Sequence, residues 1–173
     1  MNTIDALSVA NYFIKIANEC KREIRPLGLL KRVYIAHGFS LAINNTSLLD
    51  PRFDDVEAWR YGPVIPSVYH SFKHLRNSPI TDNDYAPRLQ IDDCGIFRFQ
   101  TPILEDVDAQ KIVKMVWARY LNCSDNQLVT ITHQDGTPWK RLYREGENAV
   151  IPDSYTKLYY ESVVNTIKRN LQK

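Results

Sequence analysis

His70 and His74 stand four residues apart in the stretch His70-Ser71-Phe72-Lys73-His74, the spacing at which two imidazoles on one helix face can share a metal ion. The pattern stops short of a metalloprotease. No glutamate follows His70, no third ligand stands in the next turn, and Lys73 between the rings disfavours a cation. Solvent-facing polar side chains are the simpler reading, and neither a metal nor another cofactor is expected. A further imidazole, His133, lies in Thr132-His133-Gln134-Asp135-Gly136-Thr137-Pro138-Trp139. A hydrolase built there would need a nucleophile held against the ring by the fold. The surroundings of Thr132 and of the three cysteines have neither the form of a nucleophile elbow nor a papain-like context. His133 and Asp135 read more simply as helix-end residues that fix the turn presenting Trp139. The six glycines are scattered singly and none falls in phosphate-loop spacing, so nothing supports nucleotide binding.

Binding, rather than covalent chemistry, has a clearer signature. The stretch Val56-Glu57-Ala58-Trp59-Arg60-Tyr61-Gly62-Pro63-Val64-Ile65-Pro66-Ser67-Val68-Tyr69 places three large aromatics, a Gly-Pro step and a second proline in fourteen positions. On an extended segment Trp59 and Tyr61 share a face and Arg60 points to the other, and Gly62-Pro63 would end that segment at a fixed bend. The two prolines restrict the unfolded chain and aim Tyr69 and Phe72 toward a core. One reading is a rigid plug closing a helical core, with Glu57, Trp59, Gly62, Pro66 and Tyr69 as its structural motif. The other is a docking surface, because Trp, Tyr and Arg are over-represented at interfaces. Trp59 is assigned to the first role. Arg60 and Tyr61, with Pro63, His133 and Trp139, are assigned to the second.

These residues need elements to hold them. The 173-residue chain fits one domain, residues 1–173, and its 44% hydrophobic and 24% charged residues describe a folding globular protein. Twenty-two Lys and Arg against 20 Asp and Glu create no global field toward nucleic acid or an anionic membrane. Two modest basic clusters, Arg22, Arg25, Lys31 and Arg32 and then Lys140, Arg141 and Arg144, read as solvated helix faces. No apolar run approaches the ~20 residues that span a bilayer, so the expected location is the cytoplasm. Cys20, Cys94 and Cys123 suggest reduced, partly buried thiols rather than a disulfide or zinc framework.

Helical periodicity begins at Ile4 and breaks at Arg25-Pro26-Leu27-Gly28. Leu29 to Leu41 are apolar all round the cylinder, which marks a central helix ending near Asn44-Asn45. A small hairpin or extended piece follows, then a short aromatic helix over 66–76 with Pro66 in its first turn. Turn formers crowd 77–104, where only Ile96 to Phe99 reads as strand. Later helices start at Asp106, at the capping box Ser124-Asp125-Asn126-Gln127, at Thr137-Pro138, and at a cap of Asp153 or Ser154. The expected fold is mainly α: one helical domain of about six helices with a minor β element.

The blocks Leu30-Lys31-Arg32-Val33-Tyr34-Ile35-Ala36-His37-Gly38, Leu49-Asp50, Glu57 to Tyr69, Leu128-Val129, Thr132-His133 and Pro138-Trp139 together resemble the Panacea domain. This is the SocA-like, phage-associated family, also known as GepA-like, and the resemblance runs from about the second helix to Trp139. It implies a mostly helical antitoxin that neutralises a protein toxin by direct contact. It also implies a repertoire that includes adaptors delivering a toxin to a ClpXP protease, and toxins that include small alarmone-synthetase-like enzymes modifying tRNA ends. The family usually carries Gln or a similar residue at the position of His37, so no mechanism is built on that imidazole. Some relatives carry an extra DNA-binding domain that is not seen here, so autoregulation of this chain's own promoter is not expected, and a near-neutral chain without a helix-turn-helix signature speaks against a nucleic-acid partner. The expected partner is a toxin encoded by the adjacent gene, with a ClpXP-type protease as a further one.

Overall fold

In the computed structural model, which describes residues 4–91 and 94–172, helices surround one long central helix. Helix α1 (Ala6–Glu19) starts at Asp5, whose carboxylate accepts from Ser8 N–H while the Ser8 hydroxyl accepts from Asp5 N–H, a reciprocal cap. Helix α2 (Pro26–Asn44) is buried at nearly every position from Gly28 to Leu41. Its residues are apolar round the whole cylinder because α1, α4, α5 and α7 pack on different sides of it. It ends where Asn45 adopts a left-handed conformation, a role suited to Asn.

Strands β1 (Glu57–Trp59) and β2 (Gly62–Val64) form an antiparallel hairpin, and β5 (Ala149–Val150) pairs with the other side of β1, giving the order β2-β1-β5. Helix α3 (Pro66–Phe72) follows with proline in its first turn. The helix expected over 66–76 is shorter than the sequence suggests: its last part, Lys73–Leu75, tightens to a 3₁₀ turn and Arg76 takes positive φ. A second hairpin, β3 (Arg88–Ile91) and β4 (Phe97–Gln100), stands apart from the first. Its first strand escaped the sequence reading because Arg88-Leu89-Gln90-Ile91 alternates over only four residues amid turn formers.

Helices α4 (Val107–Arg119), α5 (Asp125–His133) and α6 (Pro138–Leu142) start at Asp106, Ser124 and Thr137, as their capping residues foretell. In the α5 box Ser124 Oγ accepts from Gln127 N–H and Gln127 Oε1 accepts from Ser124 N–H. Ser124→Ala is expected to cost about 1 kcal/mol, read as a shift in the chemical-denaturation midpoint with an unchanged slope.

Helix α7 (Asp153–Leu171) lies along α2. Gly38 makes this approach feasible, since a Cβ there would overlap the ring of Tyr160. Asp153 does not cap α7 as expected. Pro152 occupies the cap position and offers no side-chain bond. The Asp153 carboxylate instead reaches fully buried His37, with Nε2 2.9 Å from Oδ1, while Nδ1 accepts from Leu48 N–H at 3.4 Å. Accepting at Nδ1 leaves the proton on Nε2 for Asp153. That bond holds the Asp153 carboxyl below its ordinary range. His37 therefore joins α2, the following loop and α7, a structural role.

The protein is a mainly α domain with one hydrophobic core running from Ala6 to Tyr160. No helix among the described residues is long and apolar enough to cross a membrane. The cysteines depart from expectation: Cys20 and Cys94 are exposed and only Cys123 is partly buried.

Candidate functional site: the aromatic corner

The β1–β2 hairpin turns on Arg60 and Tyr61, with Trp59 paired to Gly62 across it. The extended geometry expected through Tyr61 is therefore replaced by a turn, so Trp59 and Tyr61 do not share a strand face. Gly62-Pro63 does not end the segment either; it begins β2. Two-residue hairpin loops usually need positive φ within the loop to match the strand twist. Neither Arg60 nor Tyr61 has it, and Gly62 takes φ +104° instead. The strain thus falls on the residue that carries no side chain.

Beneath the turn lies Lys31 of α2, fully buried. Its Nζ donates to the carbonyl of Tyr61 at 2.7 Å and to that of Pro63 at 3.1 Å. It has no carboxylate partner among the described ion pairs, and burial lowers its pKa from 10.5 to about 7. Arg32, next in sequence, is buried too. It donates to the Tyr120 carbonyl at 3.2 Å, and its guanidinium lies 5.4 Å from the Trp117 ring centre. The basic cluster expected as a solvated face is therefore half internal. The signal was in the sequence: a helix packed on all sides leaves no solvated face for Lys31.

His133 closes the corner from α5. Its Nδ1 lies 2.6 Å from the Val129 carbonyl, and its ring meets Trp139 at 3.9 Å between centroids. Desolvation pushes its pKa down, assisted by Lys31, while hydrogen bonds to the Val129 and Arg60 backbone act in the opposite sense. Trp139 Nε1–H donates to the Trp59 carbonyl at 2.7 Å, and the Trp139 ring stacks on Tyr143. Trp59 Nε1–H donates to Glu57 Oε2 at 2.6 Å, and its ring sits edge-on to Tyr69. The two sequence blocks read as motifs are thus one object, tied by a bond between residues 80 apart.

Burial separates the roles. Pro63 and Trp139 are buried, and Glu57, Trp59, Pro66, Tyr69 and His133 are partly so. Arg60 is exposed, and Tyr61 is 67% exposed with the Arg60 guanidinium 5.6 Å from its ring centre. The arrangement is a rigid pedestal presenting one aromatic and one cation to solvent.

The same geometry gives His133 little to do in catalysis. Its Nδ1 faces a carbonyl, and Thr132 Oγ1, 3.5 Å away, donates to Val129 O. A cleft of about 670 Å³ lies beyond Pro138 against α7 and is lined by Asp135, Arg141, Tyr155 and Leu158, among others, but not by His133. His70 and His74 are both exposed, and no group of three or more His, Cys, Asp or Glu among the described residues could hold a metal ion.

The corner thus displays Arg60 and Tyr61 over a framework of buried and partly buried motif residues. The profile of the antitoxin SocA-like, Panacea domain family matches residues 29–140, which include most of α2, both hairpins, α5 and the Trp139 turn. The chain is also 32% identical over 142 residues to antitoxin SocA of Caulobacter vibrioides (strain NA1000 / CB15N), covering 79% of this chain and 69% of that protein. No solved structure matches. This chain belongs to the antitoxin SocA-like, Panacea domain family.

Proposed function

We propose that this chain is a non-enzymatic cytoplasmic antitoxin that neutralises a cognate protein toxin, encoded by the adjacent gene, by binding it directly. Membership in a family of antitoxins carries the reading. The contact surface includes the Arg60–Tyr61 corner. Support for that placement is the contrast between an exposed Tyr61 and the buried framework under it, because a rigid aromatic anchor loses little entropy when it is covered. Pro63, His133 and Trp139 serve the contact by holding the turn. The functional unit extends over residues 1–173, since α1 and α7, outside the matched segment, supply core residues such as Phe13 and Tyr160. No cofactor is required.

Co-expression with the neighbouring open reading frame tests this. Growth should be rescued and the two proteins should co-purify. Tyr61→Ala and Arg60→Glu should each weaken the complex by about 30-fold or more, an effect of ~2 kcal/mol. Thermal midpoints should stay near wild type, because both side chains are exposed. A partner equally toxic with and without this chain would overturn the antitoxin reading. Rescue with loss of the partner and no stable complex would mean delivery to a ClpXP-type protease instead. A folded His133→Ala variant that keeps all function would argue against a hydrolase centred on that imidazole.

A further inference from the structure

The β3–β4 hairpin is amphipathic in a way the rest of the fold does not use. Its register pairs Leu89 with Phe99 and Ile91 with Phe97, and pairs Arg88 with Gln100 and Gln90 with Arg98. Side chains alternate across a strand, so Leu89, Ile91, Phe97 and Phe99 form one face, and the polar four form the other. All four apolar side chains are more than half exposed, at 51%, 62%, 64% and 74% in that order. A lone two-stranded hairpin is marginal in water and needs a further layer on its apolar face. Among the described residues no other element packs substantially on these strands.

We propose that a second copy of this chain supplies that layer, two hairpins stacking apolar face to apolar face about a twofold axis parallel to the strands. That axis places β3 of one copy over β4 of the other. Leu89 then meets the Phe99 of the second copy, and Ile91 meets its Phe97. Every aromatic faces an aliphatic, and each such contact occurs twice, as an isologous interface requires. The register that creates the face also makes it self-complementary. Among the described strand residues no charged side chain belongs to this face, and the arginines lie on the polar face.

The area suffices. Phe side chains bury roughly 150–250 Å² each, so the exposed part of these four residues comes to roughly 500 Å² per copy. Two copies reach the roughly 1,000 Å² expected of a specific interface. The proposal is independent of the toxin contact, since the face lies on a different sheet from Arg60 and Tyr61.

Light scattering coupled to size-exclusion chromatography tests it on the full chain at about 1–100 µM, a range that brackets ordinary dimer affinities. Wild type should show twice the 20.1 kDa chain mass, falling to one chain mass on dilution. Leu89→Lys and Phe99→Glu should each be monomeric at concentrations where wild type is dimeric. Their circular dichroism should be unchanged, because the side chains are exposed. Mixing the two variants should restore the dimer, since the axis sets the new lysine of one copy over the new glutamate of the other. A wild-type mass of one chain throughout the range would overturn the proposal and leave the face to a different protein. Variants that stay dimeric would overturn it as well, and variants that fail to rescue each other when mixed would overturn the assigned axis.

Discussion

Replacing Gly62 with alanine should destabilise the protein by about 3–5 kcal/mol, because two independent costs meet at one atom. The first is backbone strain: Gly62 has φ +104°, and a residue with a Cβ held there loses on the order of 1–3 kcal/mol. The second is overpacking. The new methyl would stand 2.7 Å from His133 Cε1, 2.7 Å from Lys31 Nζ and 3.3 Å from Thr132 Oγ1. None of the three can retreat cheaply. His133 is clamped between Val129 and Trp139, and Lys31 holds two carbonyls of the hairpin. Overpacking of this kind costs roughly 1–3 kcal/mol. At about 2–4 °C per kcal/mol for a chain of this size, the thermal midpoint should fall by roughly 6–20 °C. Gly136→Ala provides the control. It too has positive φ, +84°, but nothing lies within 4 Å of its would-be Cβ, so it bears the strain alone, about 1 kcal/mol. Equal losses in the two variants would mean that the corner relaxes freely and is not a rigid pedestal.

How much of this was readable beforehand depends on the range of the interactions. The starts of α1, α2, α4, α5 and α6 followed from prolines, capping residues and apolar spacing, which act within one or two turns. Asp153 was misread as a cap because its partner, His37, is 116 residues away and gives no local signal. Strand β3 did carry its alternation, Leu89 and Ile91 against Arg88 and Gln90, but pairing with β4 is what makes four residues a strand. The corner shows the same division. Its composition marked it as stiff and aromatic, and two distant blocks in family order suggested that they belong together. Only the fold shows that Trp139 donates to the Trp59 carbonyl, that Gly62 absorbs the strain of the turn, and that Lys31 lies underneath. Lys31 reads in the sequence as part of a solvated basic face, because lysine is almost never fully buried without a charged partner and the two hairpin carbonyls that receive it lie 30 and 32 residues away.

Lys31 sets the second large effect, a rise in stability on the alkaline side of neutrality. In the unfolded chain its ammonium titrates near 10.5, while in the folded protein burial lowers the pKa to about 7. Between those values the unfolded chain binds a proton that the native protein does not, and stability rises with pH wherever that holds. Below pH 7 both states are protonated and the desolvation cost is borne in full. As pH rises through 7 the native amine sheds its proton, and the cost is relieved by about 1.4 kcal/mol per further pH unit. Between pH 7 and 9 this should contribute about 2 kcal/mol. The window closes near pH 10 for a separate reason. Tyr34 and Tyr160 are buried with raised pKa values, so their ionisation in the unfolded chain then favours unfolding. Lys31→Met removes the titrating group and should flatten the profile from pH 7 to 9 in denaturant titrations. At pH 6 it removes a buried charge but leaves the Tyr61 and Pro63 carbonyls without their donor, so its stability there reports the balance between desolvation and the two lost hydrogen bonds. A wild-type profile as flat as that of Lys31→Met would mean that the ammonium stays protonated beneath the turn across this range, with the two carbonyls sufficient to hold its charge in the protein interior.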